Sequence, residues 1–188
     1  MDPRKKKRYA TFLAILIIIA IWTATLLFYS PEKVVERIGF EKGYLFVFLV
    51  ATFGGVSAIT ATSLFTTVVT LSLGGLNPLL LGIAGGLGAS IGDSIFYYFG
   101  KRGRDIAAKP TRKRLARFSF WLQRQPSGII PFIVYLYAGL TPFPNEFVTI
   151  PLGLSQYKYR KLIIPLILGN ITLLSLIAYL ASTGKLAI

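Results

Sequence analysis

The chain contains no cysteine and no histidine in its 188 residues. Without cysteine it has no disulfide framework, thiol nucleophile or iron–sulfur ligand, and without histidine the usual ligands of zinc, haem and copper are missing. Histidine is also the general base of the serine triad and of histidine-dependent phosphotransfer, so both mechanisms are excluded. The sequence therefore predicts no catalytic residues, no metal and no cofactor.

Charge is also scarce and unevenly spread. Charged residues make up 15% of the chain, against about 25% in an average soluble domain. Residues 43–100 contain one charge, Asp93, and residues 125–157 contain one charge, Glu146. A bilayer core about 30 Å thick takes about 20 apolar residues as helix, so these runs predict an integral membrane protein with several crossings. A soluble enzyme is excluded.

The basic residues predict how the chain is oriented. Five consecutive basic residues begin at Arg4 and precede an apolar run that ends at Tyr29. This run is longer than the apolar part of a signal peptide, so residues 1–30 are expected to be a basic N-terminus and a retained transmembrane helix. The positive-inside rule places that N-terminus in the cytoplasm and residues 31–43 outside.

Residues 101–127 form a second basic segment, which the same rule places inside together with Lys158, Arg160 and Lys161. In total 17 basic residues then lie inside and four outside. Leu115, Phe118, Trp121 and Leu122 recur there at helical spacing among arginines, which predicts an amphipathic helix on the inner membrane surface. Simple anchoring and recruitment of an anionic headgroup both remain open. The net charge of +14 is thus explained by the membrane, and no nucleic-acid partner is expected.

The remaining lengths predict two similar halves. Residues 44–100 must start outside and end inside, and a re-entrant hairpin broken near Gly54-Gly55 or in the following SAITATS stretch, then one transmembrane helix, fits their length. Residues 128–184 repeat this order from the inside, with Pro142 and Pro144 interrupting the hairpin. The predicted fold is an all-α integral membrane protein with an inverted repeat, an extra N-terminal transmembrane helix and a basic amphipathic cytoplasmic helix. The predicted ranges are 44–73 and 128–157 for the hairpins and 76–99 and 162–183 for the helices, joined by Gly-Leu turns at 75–76 and 153–154.

Asp93 and Glu146 are the unusual residues of these halves. Carboxylates are costly inside a bilayer and usually face a cavity, a partner or a proton path. The functional interpretation is proton coupling or headgroup contact, with Asn145, Pro142 and Pro144 in the same break. The structural alternatives are that Asp93 bonds nearby serines or backbone donors, and that Glu146 pairs with Arg124 or caps a helix.

Small residues line one face of the segment that contains Asp93. Close packing against a hairpin is the expected use of this face, and a ligand-lining surface is the alternative. The fragment GGLG is not a nucleotide loop, because no GK[ST] follows it. The glycines on this face are Gly82, Gly85, Gly86, Gly88 and Gly92.

Two stretches resemble a known family. GLGASIGDSIFYYFGKRG is similar to the glycine-rich motif of the DedA proteins, also called the VTT or SNARE-associated family, and AGLTPFPNEFVTIPLGLSQYKYRKLIIPLILGN resembles that family's proline-containing hairpin and last spans. The resemblance implies two re-entrant hairpins and a lipid transporter, because bacterial members recycle undecaprenyl phosphate and eukaryotic relatives scramble phospholipids. The motif positions carried over are Gly92, Asp93, Tyr97, Gly100, Pro142, Pro144 and Gly153.

The chain also departs from that family. Its bacterial translocases have acidic residues in the first hairpin and arginines around the proline of the second, whereas residues 44–73 here are uncharged and GLTPFPNEF has no arginine. Helix amino termini and the inner rim, at Lys101, Arg102 or Arg124, remain for binding an anion.

The expected function is movement of a lipid or polyprenyl-phosphate carrier between the leaflets of the cell membrane, with proton linkage as a hypothesis. The expected partners are anionic or phosphate-bearing lipids, and a homo-oligomer remains open. The alternatives are a membrane scaffold that binds partners through the basic segment, and a small-solute or ion carrier. A membrane enzyme is not expected, because no acid–base pair at defined spacing and no acidic Mg²⁺ cluster are present.

Overall fold

The computed structural model describes residue 17 and residues 42–54, 58–106 and 109–184. All regular elements in these ranges are helices, which confirms the all-α prediction for this part of the chain. The predicted first transmembrane helix in 1–30 and the loop 31–43 lie almost wholly outside the described residues. The helices are α1 (Gly43–Gly54), α2 (Ala58–Leu73), α3 (Pro78–Ile106), α4 (Lys109–Arg124), α5 (Ile129–Leu140), α6 (Glu146–Leu154) and α7 (Tyr159–Ser182).

Two of these helices are long and apolar enough to cross a membrane, over Pro78–Arg104 of α3 and Tyr159–Ser182 of α7. Their 29 and 24 residues correspond to about 43 and 36 Å of helix, against a bilayer core of about 30 Å. They agree with the predicted spans 76–99 and 162–183 to within a few residues, except that α3 begins at Pro78 and continues beyond the predicted end to Ile106.

The outward faces of α3 and α7 are apolar. Leucine and isoleucine at helical spacing are left exposed there, and exposed apolar surface of this extent is typical of a face that contacts lipid. These residues are Leu79, Leu80, Ile83, Leu87 and Ile91 on α3, and Ile164, Leu168 and Leu176 on α7.

α1 and α2 form the first pair of shorter helices. α1 ends at Gly54 and α2 begins at Ala58, so the interruption lies at the expected low-propensity stretch. The hydroxyls of Thr66 and Thr67 in α2 donate to carbonyls one turn earlier, which satisfies them inside an apolar helix. Ser72 Oγ donates to the Ala178 carbonyl at 2.6 Å and ties α2 to α7.

α5 and α6 form the second pair. Five residues separate α5, which ends at Leu140, from α6, which begins at Glu146. Pro142 and Pro144 lie in this interval, and each lacks the backbone donor that a continuous helix would need. Both pairs stand where hairpins are predicted, and their re-entrant course through a membrane stays a prediction.

The two pairs pack reciprocally around the long helices. α1 packs mainly against α3, and α5 packs mainly against α7. The first helix of each pair therefore contacts the long helix that follows it in the chain. α2 packs mainly against α7, and α6 packs mainly against α3. The second helix of each pair therefore contacts the long helix of the other half. Each half therefore contributes to the core of the other.

α2 and α6 end in the same backbone motif. The Leu76 N–H donates to the Leu71 carbonyl at 3.2 Å, and the Tyr157 N–H donates to the Leu152 carbonyl at 3.0 Å. Gly75 (φ 94°) and Gln156 (φ 57°) take the left-handed conformation that closes such a motif.

The prediction of a Gly-Leu turn at 75–76 is therefore confirmed, and the prediction of a second one at 153–154 is wrong. Gly153 and Leu154 lie inside α6, and the turn follows at Gln156. The physical reason for a glycine at position 153 is close packing, because a Cβ there would overlap the Tyr97 carbonyl oxygen of α3.

α4 lies in the predicted amphipathic segment, with its apolar residues divided between two environments. Leu122 is buried against α5, α6 and α7 residues, whereas Phe118, Phe120 and Trp121 are exposed. Phe118 and Trp121 stack with ring centroids 5.8 Å apart. One edge of α4 therefore joins the protein core, and aromatic rings cover its outer face.

Candidate functional site

Asp93 lies in the middle of α3 and is buried, with 4% of its surface exposed. Its Oδ2 accepts hydrogen bonds from the Asn145 side chain at 2.9 Å and from the Asn170 side chain at 2.7 Å. Both donors are neutral amides, so these hydrogen bonds stabilise the carboxylate without neutralising its charge.

Asn170 connects α7 to this carboxylate. Its side-chain nitrogen also donates to Ser90 Oγ at 3.1 Å, and its Oδ1 accepts from Asn145 at 2.9 Å. Ser90 in turn donates to the Gly86 carbonyl one turn earlier. Asp93, Asn145, Asn170 and Ser90 thus form one hydrogen-bonded group, called the Asp93 cluster below.

Neither Asn170 nor its contact with Ser90 was predicted from sequence. The structural alternative for Asp93 was a bond to nearby serines or backbone donors, but its Oδ2 accepts hydrogen bonds from Asn145 and Asn170. A carboxamide in the otherwise apolar stretch LILGNITLL is a signal that could have identified Asn170, since amides inside a membrane helix need partners.

Asn145 is held at the break between α5 and α6. The Tyr137 hydroxyl donates to the Pro144 carbonyl at 3.1 Å, which fixes the end of the break against α5. The Asn145 carbonyl accepts the N–H groups of Val148 and Thr149 and so starts α6, while its side chain points to Asp93 instead of capping the helix. Breaking the helix at this position frees an amide for the Asp93 cluster.

Glu146 is the first residue of α6 and is partly buried. A carboxylate in the first turn of a helix interacts favourably with the helix dipole. Its Oε2 is buried and has no hydrogen-bond partner among the described residues. The structure shows no ion pair between Glu146 and Arg124, so that alternative is not realised. The Arg124 guanidinium lies over the Phe120 ring, 4.3 Å from its centroid.

A small cavity of about 50 Å³ lies beside the Asp93 cluster. A water molecule occupies about 30 Å³ in the liquid, so this space suits an ion or one or two waters. The cavity lies between the first pair of helices and the break in the second pair. Its lining includes Leu64 and Phe65 of α2, Asp93 of α3, Pro142, Phe143, Pro144 and Asn145 of the break, and Asn170 of α7.

Four other motif residues form helix contacts away from this cavity. A Cβ at Gly92 would lie 3.0 Å from the Thr52 carbonyl oxygen of α1, and one at Gly100 would overlap the Ile150 carbonyl oxygen of α6. Gly153 packs on the Tyr97 backbone, and the Tyr97 hydroxyl donates to the Tyr157 carbonyl at 2.6 Å. These residues hold α3 close to α1 and α6.

The predicted headgroup rim is not brought together with the Asp93 cluster. Lys101, Arg102 and Arg124 are exposed, and none of them lines the small cavity. Within the described ranges no group of three acidic, histidine or cysteine side chains could hold a metal ion. The chemistry available at the cluster is therefore that of carboxylates and neutral amides, which bind a proton, a small cation or a hydrogen-bonding headgroup.

Comparison of this chain with protein-family models, with curated proteins and with solved structures finds no match.

Proposed function

We propose that this chain moves a lipid or a lipid-linked phosphate between membrane leaflets, without covalent chemistry. The observation that carries the proposal is the Asp93 cluster, which joins both long helices to the broken segment before α6. A buried carboxylate among apolar helices is costly, and in membrane proteins such groups mark substrate or proton paths.

The reciprocal packing of the helix pairs supports a transporter architecture. In inverted-repeat transporters the substrate site lies where interrupted helices of the two halves meet near the midplane. Here α2 of the first half and the break of the second half line one cavity. The resemblance to the DedA family points in the same direction, and in this proposal the two pairs are re-entrant hairpins in an inverted repeat.

The size of the cavity sets a requirement on the mechanism. At about 50 Å³ it is too small for a phosphate headgroup together with its hydration. Passage of a headgroup therefore requires Leu64 and Phe65 of α2 to separate from the break at residues 142–145. The lipid tail would stay in the surrounding bilayer while the headgroup passes Asp93 and Glu146, and proton uptake by these carboxyls would accompany the movement.

The test is transbilayer movement of labelled polyprenyl phosphate and phosphatidylcholine in liposomes that contain the purified protein. We compare wild type, Asp93→Asn and Glu146→Gln at a mildly acidic and a mildly basic pH, with Asp105→Asn, near the C-terminal end of α3, as a matched carboxyl control. We expect the Asp93 and Glu146 variants to lose about tenfold or more of the rate and its dependence on pH, and the control to keep both.

Each result assigns a different mechanism. Movement of polyprenyl phosphate alone, lost in the Asp93 and Glu146 variants, supports a carrier-lipid translocase. Movement of both lipids that is insensitive to the variants and to pH identifies a passive scramblase and overturns the role of the carboxyls. If wild type moves neither lipid, the lipid-transport proposal is wrong.

A small-ion carrier is the second candidate, because the cavity already has the size of an ion and is lined by a carboxylate and two amides. Proton or sodium flux into the same liposomes, measured with a pH-sensitive or sodium-sensitive dye while neither lipid moves, would favour it.

A further inference from the structure

A second and larger cavity, of about 370 Å³, lies at the end of the molecule where α4 ends, α5 begins and α6 turns into α7. Its volume is within the range of small-molecule binding sites. It is on the side that the charge distribution predicts to be cytoplasmic. None of the predicted rim residues Lys101, Arg102 and Arg124 lines it.

The charges at this cavity have one sign. Lys158 and Lys161 line it, and none of the lining residues is acidic. Both lysines are exposed, and neither ammonium group has an ion-pair or hydrogen-bond partner among the described residues. Two unpaired cations beside a concave surface attract an anion, and phosphate is one that lysine binds well.

Some of the other polar side chains around the cavity already have partners. Ser155 Oγ donates to the Pro151 carbonyl at 2.8 Å, and the Gln125 amide donates to the Trp121 carbonyl at 3.3 Å. The two lysines are the charged donors that line the cavity, and the neutral side chains of Ser127 and Gln156 lie beside them. This arrangement favours a doubly charged anion over a neutral polar solute.

The inner part of the cavity is apolar, which suits a ligand with an apolar portion. Leu122 and Ile130 line it and are 4% and 7% exposed. The exposed rings of Phe118 and Trp121 lie on α4 within one turn of Leu122, where an interfacial helix would contact the bilayer surface. A phosphate at the lysines would therefore have apolar surface and lipid next to it.

α6 connects this cavity to the Asp93 cluster. The helix begins directly after Asn145 and ends just before Ser155, which lines the cavity. Its nine residues span about 13 Å. A ligand at the lysines would thus be separated from the buried Asp93 carboxylate by about the length of α6.

We infer that this cavity binds a phosphate monoester, with a lipid headgroup as its source, and that Lys158 and Lys161 are its cationic ligands. Its role as the site where a headgroup is loaded from the inner leaflet rests on the proposed function, whereas the binding itself does not.

The test is calorimetric titration of the full chain in a neutral detergent with three probes: inorganic phosphate, dihexanoyl phosphatidic acid and dihexanoyl phosphatidylcholine. We expect Lys158→Gln/Lys161→Gln to weaken phosphatidic acid binding about tenfold or more, which is the effect of losing charge-assisted hydrogen bonds. Lys113→Gln/Arg117→Gln removes the same charge from exposed positions of α4 outside the cavity, and it should stay within about twofold of wild type.

A steric variant separates the cavity from its charges. Ser127 is exposed and lines the cavity, so Ser127→Trp should fill the space and weaken binding while both lysines remain. Unchanged binding in the lysine variant, or equal losses in the lysine variant and its charge control, would overturn the inference. Binding of phosphatidylcholine as tight as that of phosphatidic acid would also overturn it.

The probes distinguish the sources of phosphate. Tighter binding of phosphatidic acid than of inorganic phosphate supports a headgroup site, and equal binding keeps the phosphate site but overturns the lipid as its source. Asp93→Asn should bind phosphatidic acid like wild type and fail to move lipid. If wild type binds but moves no lipid, the proposed function fails alone, and if it moves lipid while the lysine variant binds normally, this inference fails alone.

Discussion

Asp93 shows how one side chain joins three parts of the chain. Its carboxylate accepts hydrogen bonds from the break before α6 and from α7, so an isolated charge on α3 becomes the contact point of two halves. That Asp93 and Glu146 are unusual was predictable from sequence, because they are the lone charges in long uncharged runs. Which donors reach Asp93 was not predictable, because Asn170 is far from it in the chain and the pairing depends on how α3 and α7 cross.

Removing the Asn170 amide should weaken this contact. Asn170→Ala leaves Asp93 with one fewer donor and Ser90 without the amide, so we expect a loss of about 1–3 kcal/mol in the free energy of unfolding. Ser175→Ala on the same helix is the matched control, because the Ser175 hydroxyl has no hydrogen-bond partner in the described part of the chain and its removal should cost little. Unfolding in mixed detergent micelles measures both, and equal losses would contradict the role of Asn170.

The glycines at positions 100 and 153 are required by contact between backbones. Gly100→Ala would place a methyl group against the Ile150 carbonyl, and such overpacking is expected to cost about 1–3 kcal/mol. Gly103→Ala, on the same helix, would meet Leu154 at an ordinary 3.6 Å and should be neutral or stabilising by up to about 1 kcal/mol. Thermal unfolding of the two variants compares them, and equal melting temperatures would contradict the packing role of Gly100.

The helices differ in what holds them in place. α3 and α7 contact each other extensively, and each long helix also receives one helix from either pair. α4 is held mainly at one edge, through Leu122, and presents Phe118, Phe120 and Trp121 outward. Helical spacing predicted the existence of α4, but its apolar residues were expected to share one face. Contact with α5 and the α6–α7 turn buries Leu122 apart from its aromatic neighbours.

Trp121 reports on whether α4 lies at a membrane surface. The chain has two tryptophans, so Trp22→Phe leaves Trp121 as the single tryptophan, which can be excited selectively above the absorption of tyrosine. In liposomes we expect its fluorescence to be quenched more by lipids brominated near the headgroup than by lipids brominated deep in the acyl chain, because an interfacial helix is buried only about 5–10 Å. Trp121→Phe in the presence of Trp22 is the control for the source of the signal, and absence of quenching would place α4 away from the bilayer.

The molecule as a whole has two similar ends. α2 and α6 finish in the same left-handed motif, at Gly75 and Gln156, and a long helix starts just after each. The first of these turns was predictable from its glycine, whereas the second was missed because a glutamine takes the left-handed conformation. If the chain contains an inverted repeat, these two turns face opposite sides of the membrane.

Cysteine labelling tests this orientation directly, because the natural chain has no cysteine. Gly74→Cys and Arg160→Cys place single thiols at exposed positions beside the two turns. In right-side-out vesicles we expect a membrane-impermeant maleimide to label position 74 only, and position 160 to react after the vesicles are opened. Labelling of both from the same side would exclude an inverted repeat, and labelling after detergent solubilisation controls for the reactivity of each thiol.

The sequence by itself determined the all-α class, the positions of the two long apolar helices and the interruption of each shorter pair. These follow from local properties: run length, charge, and the helix propensities of glycine, proline and β-branched residues. Only the tertiary structure decided that Asn145 and Asn170 hold Asp93, that Gly153 packs on α3, and that Lys158 and Lys161 share a cavity. The first two pairings join residues far apart in the chain, and the cavity of the two lysines is closed by the distant residues 119–130. Their meeting depends on the angles at which the helices pack.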